Sequence, residues 1–371
     1  MSVDDTLLET LNIRKHPDMV VYQENPLNLG ASPELVRQSF ITPEVHFFVR
    51  NHGTVPQVNI YNYRLSVTGM VRSPLKLSLP ELQSEFPPST VIATLQCAGH
   101  RRNELAAIRP IPGELPWSAN AIGNALWRGV PLRDVLKVAG IEAGAQHIAF
   151  TGLDEIDKDT ESFGFGGSIP LEKALESEVL LAYEMNGEPL PRLHGFPLRI
   201  VVPGYIGARS VKWLANINVQ EQPSTNYFQQ KAYRLFPPHV QAEEADWEQG
   251  TMLADLPLNS VICQPREGEI LRAGPTAING YAITGKGSLV ERVELSLDEG
   301  VTWKEASIQP RSHSWAWRFW KATLDLHPGQ YQIIIRTWDS SGHTQPVDTK
   351  QVWNWKGYLN HAWHRVSVSV H

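Results

Sequence analysis

The sequence predicts an α+β fold, in which a mixed α/β domain is followed by an all-β domain. Three observations support this prediction. The chain has 371 residues, which is more than one hydrophobic core usually serves, so two domains are expected. Its 27 Pro, 27 Gly and 12 Trp residues favour many short strands and turns over long helices. Helical patterns occur in the first part of the chain, whereas the last part has only strand patterns.

The chain divides into four segments along its length. Residues 1–40 are polar and rich in turn-forming pairs, which predicts an N-terminal arm. Residues 41–225 mix short helices, strands and polar turns, which predicts a domain that carries functional residues in its loops. Residues 226–250 lose periodicity and are predicted to form a linker or interface segment. Residues 251–371 contain short strands separated by turns, which predicts an immunoglobulin-like sandwich.

Several elements of the first domain can be placed individually. The motif LSLPELQSEF predicts a short helix capped by Ser78. The motif LRDVLKVAG predicts a helix that ends at Gly140 and has Leu132 and Leu136 on its apolar face. The motif HFFVRNHG, at residues 46–53, predicts a strand end that runs into a glycine turn. Further strands are predicted at Tyr63–Gly69, His147–Thr151 and Val179–Tyr183.

The second domain is predicted to contain six main strands. They are SVICQ, TAINGYAIT, VERVELSLD, WAWRFWKATLD, QYQIIIRTWD and WHRVSVSV. Turn signals such as Asp298-Glu299-Gly300 and Pro328-Gly329 separate several of them. Short strands at this spacing are typical of two sheets that share one core.

Composition and charge argue against several kinds of partner. The net charge of -6 argues against a surface that binds nucleic acid. No apolar run approaches the roughly 20 residues that cross a bilayer, and the N-terminus lacks the basic and apolar regions of a signal peptide. The chain ends in VSVSVH rather than in the peroxisomal Ser-Lys-Leu address. We therefore expect a cytoplasmic protein without nucleic-acid or membrane partners, or a periplasmic one if a signal has been removed.

The stretch from Val91 to Asn103 carries the strongest chemical signal. A β-branched apolar run delivers Cys97 into a turn that contains Gly99, and two arginines follow at once. Cations beside a thiol favour its thiolate form, which acts as a nucleophile or as a metal ligand. The residues alone leave both roles open. The other cysteine, Cys263, lies in the strand SVICQ and is expected to be a small buried hydrophobe.

Basic or histidine-bearing turns accompany this stretch in the first domain. They are RNH at 50–52, HRR at 100–102, HGFPLR at 194–199 and ARSVK at 208–212. Gathered cations repel one another unless an anion joins them, so these turns predict a bound phosphate or other oxyanion. The sequence contains neither a Walker loop nor the GxGxxG, GxSxG and HExxH motifs of common nucleotide enzymes, hydrolases and zinc proteases.

The motifs taken together resemble those of a known family. The chain is similar to the sulfite oxidase family of molybdenum enzymes in the segments FFVRNHG, TLQCAGHRR, LPRLHGFPLR, GARSVKWL and AWHRVSVSV. The resemblance runs from about Phe47 to the C-terminus and includes motif order and spacing. It implies a first domain that binds molybdopterin with one molybdenum ion, and an immunoglobulin-like second domain that forms a homodimer.

The resemblance also assigns roles to individual residues. It implies that Cys97 is the thiolate ligand of molybdenum. The catalytic residues that it implies are Arg50, Cys97, Arg102, Trp117, Tyr233 and Arg365. The cofactor-binding residues that it implies are Phe48, Val49, Arg50, Asn51, His52, Cys97, Asp154, His194, Arg199, Ser210, Val211 and Lys212. Arginines around one cavity would concentrate an oxyanion such as sulfite, and Arg365 would have to reach that cavity from the second domain.

The reaction that the resemblance implies is oxidation of sulfite to sulfate by oxygen-atom transfer from Mo(VI). The electrons would pass to oxygen or to an external cytochrome. No haem and no FAD are expected, because residues 1–40 are too short for the cytochrome b5 domain of the animal enzymes and no flavin domain follows.

Two other functions stay open at this point. Reduction of nitrate, or of an S-oxide or N-oxide, would use the same cofactor and fold. A non-catalytic dimeric binding module is the third interpretation, prompted by one departure from the family. Where the family motif usually has asparagine, this chain has His100, in the turn that fixes Cys97 and Arg102. An imidazole there can be neutral or charged near neutral pH.

Overall fold

Helices are short throughout the residues that the structure describes. The structure is a computed structural model that describes residues 15–158, 160–285, 287–310 and 313–371. None of its helices is long and apolar enough to span a membrane. The α-helices are α1 (Pro33–Gln38), α2 (Leu79–Glu85), α3 (Arg102–Ile108), α4 (Leu132–Ala139) and α5 (Leu171–Ala174). Single 3₁₀ turns lie at Glu44–His46, Arg192–His194, Gly207–Arg209, Ala242–Glu244 and Thr349–Gln351, and a π-helical turn lies at Phe228–Ala232.

Both predicted helices of the first domain are confirmed. α2 begins after Ser78, whose hydroxyl accepts the backbone N–H of Glu81 at 3.3 Å. The Glu81 carboxylate in turn accepts the backbone N–H of Ser78 at 2.7 Å, so two N–H groups that the helix leaves unpaired are satisfied. α4 ends at Gly140, where φ is +71° and a side chain would be strained, and its apolar face is buried at Leu132 and Leu136.

Two sheets form the frame of the first domain. The strands of this domain are β1 (Val20–Gln23), β2 (Asn28–Gly30), β3 (Leu65–Gly69), β4 (Leu75–Leu77), β5 (Ser89–Gln96), β6 (Ile122–Pro131), β7 (His147–Gly152), β8 (Ile156–Lys158), β9 (Glu161–Phe163), β10 (Gly166–Pro170), β11 (Leu180–Met185), β12 (Glu188–Pro189), β13 (Arg199–Val201), β14 (Leu214–Gln220), β15 (Arg234–Leu235) and β16 (Thr251–Met252). One sheet has the order β10-β7-β14-β3-β4, with β14 parallel to β3. The other is antiparallel, in the order β12-β11-β6-β5, and β13 pairs with β11.

The two sheets share one apolar core, and their strand ends supply the loops of the site. Phe150 and Ile217 of the first sheet belong to the same buried cluster as Val130 and Leu181 of the second. The predicted strands at 63–69, 147–151 and 179–183 are confirmed as β3, β7 and β11. The core therefore fixes the positions from which the loops after β5 and β7 and before β14 leave the sheets.

The prediction of a strand at residues 46–53 is wrong. The backbone there is extended but makes a single bridge, between Val49 and Leu29. Side chains hold it instead, because Asn28 accepts the backbone N–H of Asn51 at 2.9 Å and the Asn51 amide donates to the carbonyl of Leu27 at 3.0 Å. These bonds fix the backbone of the segment without placing it in a sheet.

Residues 15–40 pack into the core, which corrects the prediction of an N-terminal arm over residues 1–40. Residues 1–14 of that segment lie outside the described residues. Leu29 and Val36 are buried in a cluster that also contains Tyr281 of the second domain. The prediction failed because the apolar residues come in short groups separated by turn-forming pairs such as Asn25-Pro26 and Ser32-Pro33, so that no long periodic run marks the buried face.

The second domain is a two-sheet structure around its own core. Its strands are β17 (Asn259–Gln264), β18 (Glu269–Leu271), β19 (Gly274–Ile283), β20 (Val290–Ser296), β21 (Lys304–Glu305), β22 (Ser307–Ile308), β23 (Arg318–Leu326), β24 (Gly329–Asp339) and β25 (His364–Val370). The sheet orders are β17-β19-β23-β22 and β18-β25-β24-β20-β21. Ile278 and Trp320 of the first sheet pack in one cluster with Val293, Ile335 and Val366 of the second.

The predicted fold class is confirmed, with a mixed α/β domain followed by a sheet-rich domain. The six predicted main strands are β17, β19, β20, β23, β24 and β25. The short strands β18, β21 and β22 were not predicted, because two or three residues carry no measurable periodicity. The immunoglobulin-like strand order stays a prediction. In the predicted linker, 226–250, Phe228, Tyr233 and Phe236 are buried, so its first part is an interface rather than a free connection.

Candidate active site

A pocket of about 700 Å³ lies among the loops at one end of the first-domain sheets. Cys97 directly follows β5, and Lys212 lies just before β14. The pocket is lined by every predicted cofactor residue except Val49, namely Phe48, Arg50, Asn51, His52, Cys97, Asp154, His194, Arg199, Ser210, Val211 and Lys212. Val49 is buried beside it and pairs with Leu29. Residues that are far apart in sequence are thus gathered around one thiol.

Cys97 is held in a tight turn at the end of β5. Its backbone N–H donates to the carbonyl of Ala121 at 2.9 Å, and its carbonyl accepts the N–H of His100 at 3.0 Å. The N–H of Gly99 lies 3.4 Å from the sulfur. A Cβ at Gly99 would lie 2.6 Å from the Arg102 guanidinium carbon, so glycine lets that side chain pack closely on the turn. The turn fixes a single buried thiol facing the pocket.

The arginines that follow Cys97 are engaged by oxygen partners. Arg101 donates from Nε and Nη2 to the carboxylate of Glu104, at 2.7 Å in each case. Arg102 donates to the carbonyl oxygens of Leu115 at 2.8 Å and Gly357 at 3.2 Å. The expectation that both arginines act on the thiol is therefore too simple, because each guanidinium first joins the turn to another part of the chain.

A hydrogen-bonded chain runs from Arg50 through His52 to Tyr233. Arg50 Nη2 lies 3.2 Å from Nδ1 of His52, and Nε2 of His52 lies 2.8 Å from the Tyr233 hydroxyl. Burial, helped by Arg50 and other nearby cations, holds the pKa of His52 well below its usual range, so the ring is neutral. A guanidinium can only donate, so Nδ1 accepts and Nε2 carries the proton that is donated to Tyr233.

This chain sets the direction in which Tyr233 donates. Its oxygen already accepts from His52, so the hydroxyl proton is left to point at a ligand. Burial raises the pKa of Tyr233, so the proton is retained at neutral pH. Tyr233 lines the pocket together with Cys97 and Arg50. The geometry therefore offers a guanidinium and a phenol donor on the same side of the thiol.

The second domain reaches this side of the pocket through the segment before β25. The ring of Tyr358 stacks on Tyr233 with centroids 5.3 Å apart. Lys356 forms an ion pair with Glu114 at 2.8 Å, and Glu114 lies 3.4 Å from Arg102. The charge of Lys356 also contributes to lowering the pKa of His52. Lys356 and Tyr358 were missed from the sequence, because a lone lysine within the aromatic run WNWKGY matches no motif.

The pocket lining does not include three of the predicted catalytic residues, namely Arg102, Trp117 and Arg365. Arg102 is buried and held by the carbonyl oxygens of Leu115 and Gly357. Arg365 is half-buried on β25, and its Nη1 donates to the carbonyl of Trp363 at 3.2 Å. Its nearest charged groups are Asp348, Arg101 and Glu104 rather than pocket residues. Trp117 is fully buried in the same apolar cluster as Cys97, where it packs on Tyr22 with centroids 4.3 Å apart. The cation that the second domain brings near the described pocket is therefore Lys356, and the role predicted for Arg365 has no support from its position in this chain.

Two buried cations, Arg199 and Lys212, form another part of the pocket lining, which we call the far side. Arg199 donates to the carbonyl oxygens of His194 and Ser210 at 2.9 Å each, and its Nε is buried without a partner. Lys212 donates to Asn51 and to the carbonyl of Leu193. Burial lowers the pKa of Arg199 to about 9 and that of Lys212 well below its usual range, so both lack adequate counter-charge.

A cofactor with a terminal phosphate fits this arrangement. The carboxylate that lines this side is Asp154, and burial raises its pKa, which weakens it as a counter-ion. An anion bound here would satisfy the unpartnered Nε of Arg199 and relieve the repulsion between Arg199 and Lys212. The residues present therefore suit molybdopterin, with Cys97 at the other side of the pocket as the protein ligand for its metal.

His100 faces the domain interface rather than the pocket. Its Nε2 lies 2.8 Å from the hydroxyl of Tyr281 on β19. Burial, and after it the charge of Arg101, lowers the pKa of His100 to about 3. The ring is therefore neutral near pH 7, and burial excludes the charged form that the sequence left open. It connects the Cys97 turn to the second domain.

Replacing His100 with asparagine is expected to reduce the loss of stability in acid. An unfolded histidine takes up a proton near its ordinary pKa of 6.5, whereas folded His100 does so only near 3, so stability falls as the pH drops between these values. From about pH 7 to about pH 4.5 this residue accounts for about 2 kcal/mol of that fall. Thermal unfolding of both proteins across this range measures the difference. An unchanged acid slope in His100→Asn would show that the ring is not held neutral.

Two family models together match most of the chain. The model described as "Oxidoreductase molybdopterin binding domain" matches residues 52–228. The model described as "Mo-co oxidoreductase dimerisation domain" matches residues 250–371. The first match contains Cys97 and most of the pocket, and the second contains Lys356 and Tyr358. The pocket lining thus lies within or beside the first match, and the second match supplies residues that pack behind it.

Known proteins resemble the chain over nearly its whole length. Sulfite oxidase from Gallus gallus is 43% identical over 361 residues, which cover 95% of this chain and 78% of that protein. Inducible nitrate reductase [NADH] 2 from Glycine max is 38% identical over 380 residues, covering 96% of this chain but only 41% of that protein. The crystal structure of the sulfane dehydrogenase SoxCD from Paracoccus pantotrophus superposes with a TM-score of 0.77 at 26% identity, covering 92% of this chain and 84% of that one. The chain belongs to the sulfite oxidase family of molybdopterin-binding oxidoreductases.

Proposed function

We propose that this protein oxidises sulfite to sulfate at a molybdenum centre held by Cys97. The observation that carries the proposal is the donor set around the thiol, in which Arg50 and the outward-pointing hydroxyl of Tyr233 share one side of the pocket. Sulfite is a small dianion, and fixed N–H and O–H donors at a buried site bind such an anion selectively. The similarity to sulfite oxidase from Gallus gallus supports the same substrate.

The protein groups in this reaction bind and orient rather than react. Arg50 supplies positive charge, while neutral His52 accepts from Arg50 and donates to Tyr233. When bound, the molybdenum cofactor supplies the oxygen atom and accepts the two electrons that leave as sulfite becomes sulfate. The pocket cations hold the anion before and after oxidation, because sulfate carries the same charge as sulfite. Release then depends on exchange with solvent anions.

The oxidised state is restored by an acceptor outside this chain. We propose oxygen or an external cytochrome, with no haem or FAD bound by the chain itself. The match to a dimerisation domain supports a homodimer as the working form. Stopped-flow reoxidation of the sulfite-reduced protein by air or by a c-type cytochrome would distinguish the two acceptors.

Sulfite turnover measured together with molybdenum content tests the proposal. The purified, molybdenum-loaded protein is expected to reduce ferricyanide when sulfite is added, at a rate that scales with the molybdenum content. Metal analysis is needed in the same sample, because low loading would imitate inactivity. Absence of turnover in a protein that carries close to one molybdenum per chain would refute the proposed function.

Nitrate reduction is the second candidate, favoured by the similarity to nitrate reductase from Glycine max. It would use the same pocket but require electrons to enter rather than leave. Oxidation of reduced viologen by nitrate measures it directly. A nitrate response without a sulfite response in the loaded protein would reverse the order of the two candidates. The same assay with an S-oxide or an N-oxide covers the remaining reductive alternatives.

Replacing Lys356 with methionine is expected to lower kcat/KM for sulfite by about tenfold, which corresponds to about 1.4 kcal/mol. The reason is electrostatic, since Glu114 loses its closer partner, at 2.8 Å, and keeps only Arg102 at 3.4 Å, so its negative charge is less well balanced beside a pocket that should attract an anion. Steady-state kinetics at low ionic strength measures the effect. Arg365→Met is the matched control and is expected to stay within about twofold, because the charge of Lys356 reaches the pocket residue His52, whereas the charges around Arg365 belong to Asp348, Arg101 and Glu104. The reverse ranking of the two variants would contradict the geometry.

A further inference from the structure

Lys15 lies behind the wall of the cofactor pocket. Its side chain is completely buried, and its ammonium group donates to the carbonyl oxygens of Glu44 and, at 3.1 Å, Phe47. The same group lies 2.9 Å from Nε2 of His194 and 3.3 Å from the Glu44 carboxylate. Phe47 and His194 both line the pocket. Lys15 thus joins two separate segments of the pocket wall from residues outside the matched family domains.

The contact with Lys15 determines which nitrogen of His194 carries the proton. Burial lowers the pKa of His194 well below its usual range, and the charges of Lys15, Lys212 and Arg199 act in the same direction. The ring is therefore neutral and carries one proton. Burial also lowers the pKa of Lys15, but only to about 8, because Glu44 opposes the shift, so the ammonium form dominates near neutral pH. An ammonium group can only donate, so Nε2 of His194 accepts and the proton lies on Nδ1.

We propose that Lys15 is a positioning residue of the cofactor pocket, which fixes His194 as the Nδ1–H tautomer and so presents an N–H donor to an acceptor atom of the bound cofactor. The identity of that ligand rests on the proposed function, whereas the tautomer does not. The other ring nitrogen of His194 is engaged by Lys15, so Nδ1 is the one left for a ligand. Removal of a group that orients a ligand-binding imidazole in this way usually lowers the ligand affinity by about tenfold to 100-fold.

A purely structural role for Lys15 explains less of what is seen. Attachment of residues 15–40 would be served equally well by an apolar side chain, and burying an ammonium group is costly without special partners. The partners of Lys15 all belong to the segments around Phe47 and His194 that form the pocket wall. The charge of Lys15 acts on His194 together with those of Arg199 and Lys212, and it so adds to a positive field that a bound anion would help to balance.

The test compares Lys15→Met with Lys173→Met in the full-length, cofactor-loaded protein. Lys173 is the matched control, since it is also buried and paired with a glutamate, Glu176, but lies outside the pocket lining. Molybdenum and extractable pterin are measured during dialysis. Lys15→Met is expected to lose both about tenfold faster than the wild type, and Lys173→Met at the wild-type rate. Equal retention in both variants would overturn the proposal.

A second measurement reads the tautomer itself. Nitrogen-15 histidine spectra, with His194 assigned through His194→Gln, are expected to place the proton on Nδ1 in the wild type and to lose that preference in Lys15→Met. A wild-type ring protonated on Nε2, or on both nitrogens, overturns the proposal even if the variant fails to fold. This measurement needs no turnover. A protein that is inactive with sulfite but has the expected tautomer would therefore contradict the proposed function and leave the role of Lys15 standing.

Discussion

Serine in place of Cys97 is expected to lower sulfite turnover by more than about 100-fold, since loss of a direct metal ligand exceeds the usual cost of losing a residue behind one. The hydroxyl is a poor ligand for molybdenum because it stays protonated where a thiol ionises. The turn itself should survive, because its bonds to Ala121 and His100 come from the backbone. Steady-state assays with ferricyanide, normalised to molybdenum content, measure the effect.

Cys263 provides the internal control for this experiment. It is buried in β17, and burial raises the pKa of its thiol to about 12, so it stays a neutral thiol. Cys263→Ala should leave turnover within about twofold and cost about 1 kcal/mol of stability from lost packing. Full activity in Cys97→Ser would show that Cys97 is not a ligand of the metal. Equal losses in both variants would point to unfolding rather than to ligation.

Much of the site was predictable because its signals are local in sequence. The stretch from Val91 to Asn103 combines a strand, a glycine in the turn and two arginines within a few residues, so Cys97 stood out. The buried cations Arg199 and Lys212 also lie in short basic turns, which predict an anion site. Each of these features depends on neighbours in the chain, and local patterns carry that information.

What was not predictable depends on contacts between distant segments. Lys15 meets His194 across 179 positions, and Tyr281 meets His100 across 181. Lys356 and Arg365 are nine positions apart and both basic, yet only the path of the chain before β25 decides which one lies near the pocket. Sequence patterns give the chemistry of a side chain, but its direction follows from tertiary packing.

Arg101→Met is expected to lower the free energy of unfolding by about 3 kcal/mol, the low end of the cost of breaking a buried ion pair, because the Glu104 side chain is 26% exposed. The Arg101 side chain has no exposed surface and binds the Glu104 carboxylate through Nε and Nη2. Its Nη1 also donates at 2.8 Å to Asn259 and to the carbonyl of Ala362 in the second domain. Removing it leaves a partly exposed carboxylate and two further acceptors without their donor, and it removes one of the connections between the two domains next to Cys97.

Chemical denaturation, monitored separately in each domain, measures this loss. Arg128→Met is the matched control, because Arg128 pairs with Glu184 at 2.6 Å but is 45% exposed, so its loss should cost less than about 1 kcal/mol. A second readout is His364, which lies 3.8 Å from Glu104 and has its pKa lowered to about 4 by burial and then by Arg101. Without Arg101, the carboxylate is left to raise that pKa, so His364 should titrate closer to neutral pH. A variant with wild-type stability and an unchanged His364 titration would mean that this ion pair does not hold the domains together, and that the Cys97 turn keeps its position without it.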